Sequence, residues 1–99
     1  MERRKSQTLT DALFLFMRAS GLETPLLQHR VVENWTKTVK PEIAQRTRAL
    51  RVQNQQLFVE ADSPSLCSYL AMYRSQLVMR LNERVGSRII RDIRFFPKT

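Results

Sequence analysis

The sequence predicts an α+β fold, and three observations carry that prediction. Apolar residues recur at helical spacing ahead of residue 40, then at alternate positions over 47–61, then at helical spacing again from Ser63 to Gly86. A short strand rich in arginine and isoleucine follows Gly86. The resulting order is ααββαβ: a three-stranded mixed sheet with the helices packed on one face. The link from the second strand through a long helix to the third strand suits a right-handed crossover.

Each element has its own signal. Residues 1–7 are polar and basic and form a flexible N-terminal arm; residues 8–96 form a single domain. Thr8 and Asp11 make a variant capping box, and Leu9, Leu13, Phe16 and Met17 share one face of a first helix that ends near Ser20 at Gly21. Thr24 before Pro25 starts a second helix, whose Leu27, Val31, Trp35 and Val39 fall at steps of four. Trp35 on that stripe is expected in the core. Pro41 stops the helix and opens a short turn through Gln45.

Period two then takes over. Leu50 and Val52 alternate with Ala49, Arg51 and Gln53, and Leu57, Val59 and Ala61 alternate with Phe58 and Glu60. The 54–56 stretch reads as the hairpin turn, since asparagine tolerates positive φ. Ser63 and Pro64 cap a third helix, with Leu66, Tyr69, Leu70, Tyr73, Leu77 and Leu81 as its apolar arc. Arg74 interrupts that arc and must reach the helix edge or meet a carboxylate. The last strand covers about 89–96.

Charge narrows the function. The chain of 99 residues carries a formal net charge of +8 with 42% hydrophobic residues, so it folds and is strongly basic. Its pI near 10.8 points to nucleic acid, an anionic surface or an acidic protein as partner. Arg74, Arg80, Arg84, Arg88, Arg91, Arg94 and Lys98 stand against Glu83 and Asp92, placing +5 of that charge beyond residue 63. Arginine far outnumbers lysine, which favours phosphate or carboxylate recognition. The candidate nucleic-acid surface is Arg80, Arg84, Arg88, Arg91 and Arg94, with Arg3, Arg4 and Lys5 as an auxiliary arm.

Catalysis has no comparable support, and the chain is read as a non-enzyme. The single histidine, His29, reads as an ordinary helix residue, and the single cysteine, Cys67, as a small core thiol that excludes an internal disulfide and a metal-ligand pair. Two distant glycines make no phosphate-cradling loop, so no cofactor is expected. The apolar stretch 13–17 is too short for a signal peptide, and nothing is long enough to span a bilayer. A cytoplasmic protein without a membrane partner is the expectation.

Three residues suggest protein contacts. Met72 and Met79 lie seven apart, nearly opposite the apolar arc, and adaptable methionines on a polar face suit a partner. Phe58 points away from Leu57 and Val59, beside Arg51, where it could stack a base or cover a contact. Phe14 and Leu15 widen the first helix's apolar face, which suits a homodimer.

The ordered set of the Trp35 helix, Pro41, Ile43 and Ala44, the strand Leu57, Phe58, Val59, the helix start at Ser63, and Leu81, Asn82, Gly86, Ile93, Arg94 and Phe95 resembles the DciA family over roughly 8–96. That resemblance implies a cytoplasmic bacterial protein with a K-homology-like domain that binds single-stranded or double-stranded DNA. It also implies a role in loading or operating the hexameric replicative helicase of the DnaB type. The Gly-x-x-Gly loop with which RNA-binding K-homology domains clamp a backbone is absent, so that mechanism does not carry over. Two alternatives stand beside DNA replication: an RNA-binding module linked to the ribosome or RNA processing, and an adaptor for an acidic protein.

Overall fold

The second amphipathic segment forms the first helix of the structure, a computed structural model that describes residues 23–98. The basic arm with Arg3, Arg4 and Lys5, the helix expected over 8–20 and the Phe14 and Leu15 face lie outside the described residues. Helix α1 spans Glu23–Thr38. The stripe at steps of four is its buried face: Leu27 is 3% exposed, and Val31 and Trp35 are fully buried. After Lys40 in extended conformation, Pro41 opens a second helix, α2 (Pro41–Arg46), where a turn is expected from the sequence. Proline at the first helical position loses no hydrogen bond, so here it starts a helix as well as ending one.

Strands β1 (Thr47–Gln53) and β2 (Gln56–Ala61) pair antiparallel, and β3 (Asp92–Pro97) pairs parallel to β2, giving the sheet order β1-β2-β3. Asn54 and Gln55 form the two-residue turn with φ of 53° and 62°, a combination that matches the right-handed twist of the strands it joins. One residue of β1 departs from simple alternation. Ala49 pairs with Val59 and Arg51 with Phe58, leaving Leu50 as a bulge. The bulge shifts the phase, so Ala49 joins Val52 against the core in place of Leu50.

Between β2 and β3 the chain makes two helices where one is expected. Helix α3 (Pro64–Ala71) is capped by Ser63, whose Oγ accepts the Leu66 amide at 3.2 Å. The helix then breaks at Met72 and Tyr73, and α4 (Arg74–Val85) follows. Gly86, in the left-handed conformation at φ 84°, ends α4, and its amide reaches the Asn82 carbonyl at 2.8 Å. The described order is therefore ααββααβ, an α+β fold with a mixed sheet.

The helices cover the sheet face that carries Leu57, Val59, Ala61 and Ile93. One core cluster gathers Val31, Trp35, Leu57, Val59, Leu77, Leu81, Ile90 and Ile93; a smaller one joins Ala61, Leu66 and Leu70. Phe95 packs against both clusters, with its ring 6.1 Å from that of Trp35. The Trp35 indole donates to Thr47 Oγ1 at 2.9 Å, and that hydroxyl donates to the Ile43 carbonyl at 2.7 Å. This chain of bonds ties α1, α2 and β1 together. Among the described residues no buried side-chain nitrogen or oxygen lacks a partner.

Candidate nucleic-acid interface

Two arginines are fixed by carboxylates and hold the frame. Arg46 at the end of α2 makes a bidentate contact with Asp62 after β2, at 2.8 and 2.9 Å. The hydrogen bond from Arg46 holds the Asp62 carboxyl below the usual carboxylate range. Arg74 meets Asp92 at 3.0 Å, and the same carboxylate oxygen accepts the Ile93 amide at 2.8 Å. A cation in the first turn of a helix opposes the helix dipole, and Asp92 offsets it there. Of the two outcomes expected for Arg74, reaching the helix edge or meeting a carboxylate, the structure shows both: the side chain is exposed and pairs with the carboxylate at the start of β3.

The other five arginines of the C-terminal third are exposed and take no part in the ion pairs among the described residues. Arg80 and Arg84, one turn apart on α4, border one shallow depression together with Thr38 and Glu83. Arg88 borders a second with Val78, Met79 and Asn82. Arg91 lies on the connection to β3, its amide bonded to the Gln55 carbonyl at 2.7 Å. Arg94 pairs with Phe58 in the β2–β3 register, on the sheet face away from the core. The structure brings Arg80 and Arg84 together and spreads Arg88, Arg91 and Arg94 along the Gly86 connection and the sheet.

Asn82 sets the path of that connection. Its side-chain oxygen accepts the amides of Ile89 and Ile90, each at 3.2 Å, and its amide group donates to the Ile90 carbonyl at 2.9 Å. Ile90 is thereby driven into the core at 2% exposure while its neighbours Arg88 and Arg91 face solvent. The strand consequently begins at Asp92, three residues later than the apolar pattern indicates.

On the outer sheet face the Arg51 guanidinium lies 4.5 Å from the centre of the half-buried Phe58 ring. One face of that ring is therefore already occupied. Met72 is 78% exposed and Met79 is 59% exposed. Met72 lies in the helix break itself and Met79 within α4, so the heptad spacing that would align them on one helix face does not run through unbroken.

Two further aromatic residues lie outside the core. Tyr69 and Tyr73 are 48% and 40% exposed, with ring centres 5.2 Å apart and ring planes at 57°. The expected arc places both inside; instead Leu66 and Leu70 of α3 and Leu77 and Leu81 of α4 fill the interior, and the tyrosines fall to the flank. There they line an open cleft of about 270 Å³ floored by Val39, Ile43, Leu70 and Leu77, with Lys40 and Arg80 also on its wall. The sequence signal for this cleft is the substitution of tyrosine for aliphatic residues at two positions four apart, since a phenol needs a partner or water for its hydroxyl.

His29 is exposed and sits 3.5 Å from Glu33 on the same helix, and Cys67 is a half-buried free thiol whose pKa burial pushes up. Among the described residues no group of three metal-binding side chains occurs, and no helix is long and apolar enough to cross a membrane.

Comparison with known proteins follows the same lines. A family model described as "Dna[CI] antecedent, DciA" matches residues 8–95. A protein of Corynebacterium glutamicum (strain R), named UPF0232 protein, is 35% identical over 93 residues, which cover 94% of this chain and 52% of that protein. The chain therefore spans about half the length of this curated relative. The match extends from ahead of α1 into β3 and takes in the Trp35 helix, the hairpin, the Asn82–Gly86 helix end and the final strand. The chain belongs to the DciA family.

Proposed function

We propose that this protein is a non-catalytic, cytoplasmic DNA-binding accessory of replication that acts with the replicative helicase of the DnaB type. The observation that carries the DNA contact is the contrast among the arginines. Arg46 and Arg74 are spent on Asp62 and Asp92, while Arg80, Arg84, Arg88, Arg91 and Arg94 stand exposed around α4, its C-terminal connection and β3. A phosphate backbone gains affinity from such side chains by releasing condensed counterions. Membership of the DciA family supports the helicase as the protein partner, and the exposed Met72 and Met79 supply adaptable apolar surface for it. The α+β order, with paired helices between a hairpin and a parallel strand, is compatible with the K-homology-like domain the family resemblance implies.

The test is the salt dependence of DNA binding. The affinity for single-stranded DNA is expected to fall with a log-log slope of about 0.7 per phosphate neutralised. Changing Arg84, Arg88 and Arg91 to Ala flattens that slope and weakens all sequences alike. Salt-insensitive binding, or a triple variant that binds as well as the parent, rules the DNA surface out. Pull-down from lysate with and without nuclease then separates a helicase partner from ribosomal proteins or a single acidic protein.

A further inference from the structure

We infer that the Tyr69–Tyr73 cleft is a stacking site for an unpaired base of a single nucleic-acid strand, with Lys40 and Arg80 holding the phosphates on either side of it. The inference rests on the DNA reading above and adds to it a site on the helical side of the molecule. Three features of the cleft point to this occupant.

The first is the aromatic pair. Tyr69 and Tyr73 are the exposed aromatics of the α3–α4 junction, and their planes are inclined at 57° to one another. They do not stack face to face, so ring surface is left for a third ring to lie against. The second is the floor. Val39, Ile43, Leu70 and Leu77 are aliphatic, and an apolar floor below aromatic walls accepts a flat base. With a volume of about 270 Å³ the cleft falls below the range of sites that enclose a whole small molecule. A single base lying in an open groove, with its sugar and phosphates outside, fits that size.

The third is charge. Lys40 precedes α2 and Arg80 lies on α4, both bordering the cleft, and the depression beyond Arg80 adds Arg84. Glu83 borders that second depression, and Glu42 and Arg46 lie beyond Lys40; with Arg46 already paired to Asp62, Lys40, Arg80 and Arg84 stand against two glutamates around the cleft and its immediate neighbours. Of these, the cleft itself is lined by Lys40 and Arg80 and by neither glutamate. An apolar helix from a protein partner would find a floor here but no use for two cations beside two phenols. A nucleotide strand uses the floor, the rings and the cations together. Duplex DNA keeps its bases stacked and paired, so this cleft favours single strands.

The experiment measures fluorescence anisotropy of the full chain with two labelled oligothymidylate strands of equal length, one intact and one carrying abasic linkers. The parent is expected to bind the intact strand roughly 5- to 150-fold more tightly, the range for stacking one base. Changing Tyr69 and Tyr73 together to Ala removes that difference and leaves the abasic affinity and the salt slope unchanged; changing both to Phe preserves it. A double Ala variant that binds the intact strand like the parent overturns the inference, and so does a parent that binds both strands equally. If circular dichroism shows the double Ala variant unfolded, the single Tyr69→Ala and Tyr73→Ala variants take its place, each expected to lose part of the difference, and folded single variants that both keep the parent's difference overturn the inference. A parent that binds both strands equally, with a steep salt slope, removes the stacking site and leaves the DNA reading standing. A parent that binds neither strand removes both. An acidic peptide that displaces the intact strand and loses its own binding on Tyr69→Phe/Tyr73→Phe substitution overturns the inference in favour of a protein occupant.

Discussion

Asn82 shows how one side chain can set the course of a basic segment. Its three hydrogen bonds fix Ile89 and Ile90 against the end of α4, and the arginines on either side of that pair inherit their direction from it. Asn82→Ala strips partners from two amides and one carbonyl in a half-buried setting, and a loss of about 2–3 kcal/mol of stability is expected. Hydrogen exchange is the sensitive readout: the Ile89 and Ile90 amides lose protection while those of β2 keep theirs. Asn82→Asp retains the acceptor and loses only the donor, so it falls between the two. Gln55 is the opposite case, a residue held against its preference. At φ 62° it sits in the left-handed region without the freedom of glycine, and its backbone carbonyl is the part that matters, through the Arg91 amide. Gln55→Gly keeps that bond, relieves the strain and is expected to raise stability by about 0.5–1 kcal/mol. In a domain of this size that appears as a rise of a few degrees in Tm, and an unchanged or lower Tm shows the turn to be unstrained.

At the scale of elements, α1 is the keystone, because its buried face meets α4 and β1 at once. Trp35 stands at the meeting point, fully buried, with Phe95 beside it and Thr47 bonded to its indole. Trp35→Ala is expected to cost roughly 3–5 kcal/mol, much of a small domain's stability, measured by denaturant unfolding. This face was readable from spacing alone, as were the hairpin turn, the Ser63 cap and the Gly86 end, because each depends on residues within one or two turns of the chain. Three features were not readable, and each has a physical reason. Leu50 leaves the core through a bulge that depends on pairing with β2, and period two cannot register an inserted residue. Helix α2 was hidden because Pro41 reads equally as a stop and a start. The break at Met72 and Tyr73 was hidden because Leu70 and Leu77 remain seven apart, as they would in one continuous helix. The candidate interface was legible as charge and illegible as shape: the arginines are plain in the sequence, but their directions follow from Asn82 and the sheet register.

Over the whole molecule, the exposed methionines and the exposed arginines neighbour one another, Met79 sharing a depression with Arg88, but they are different side chains, so each set can be changed without removing the other. The cations concentrate on α4, its C-terminal connection and the outer sheet, while Met72 and Met79 add apolar surface at the helix break and along α4. A protein that acts on a helicase at DNA must hold both partners at once, so the two contacts are expected to fail independently. Met72→Glu/Met79→Glu tests this, since both side chains are more than half exposed and the substitutions leave the core clusters intact. The double variant is expected to retain the circular dichroism and unfolding midpoint of the parent. Co-purification with a DnaB-type helicase is lost, because a buried charge at a protein contact costs far more than one at its rim. DNA affinity drops only slightly, since two added negative charges lower the net charge without removing an arginine. A folded double variant that still carries the helicase places the protein contact elsewhere on the molecule. A parent that carries no helicase removes the helicase role in favour of the RNA-binding or adaptor reading, and its salt slope on DNA then tests the charged surface by itself.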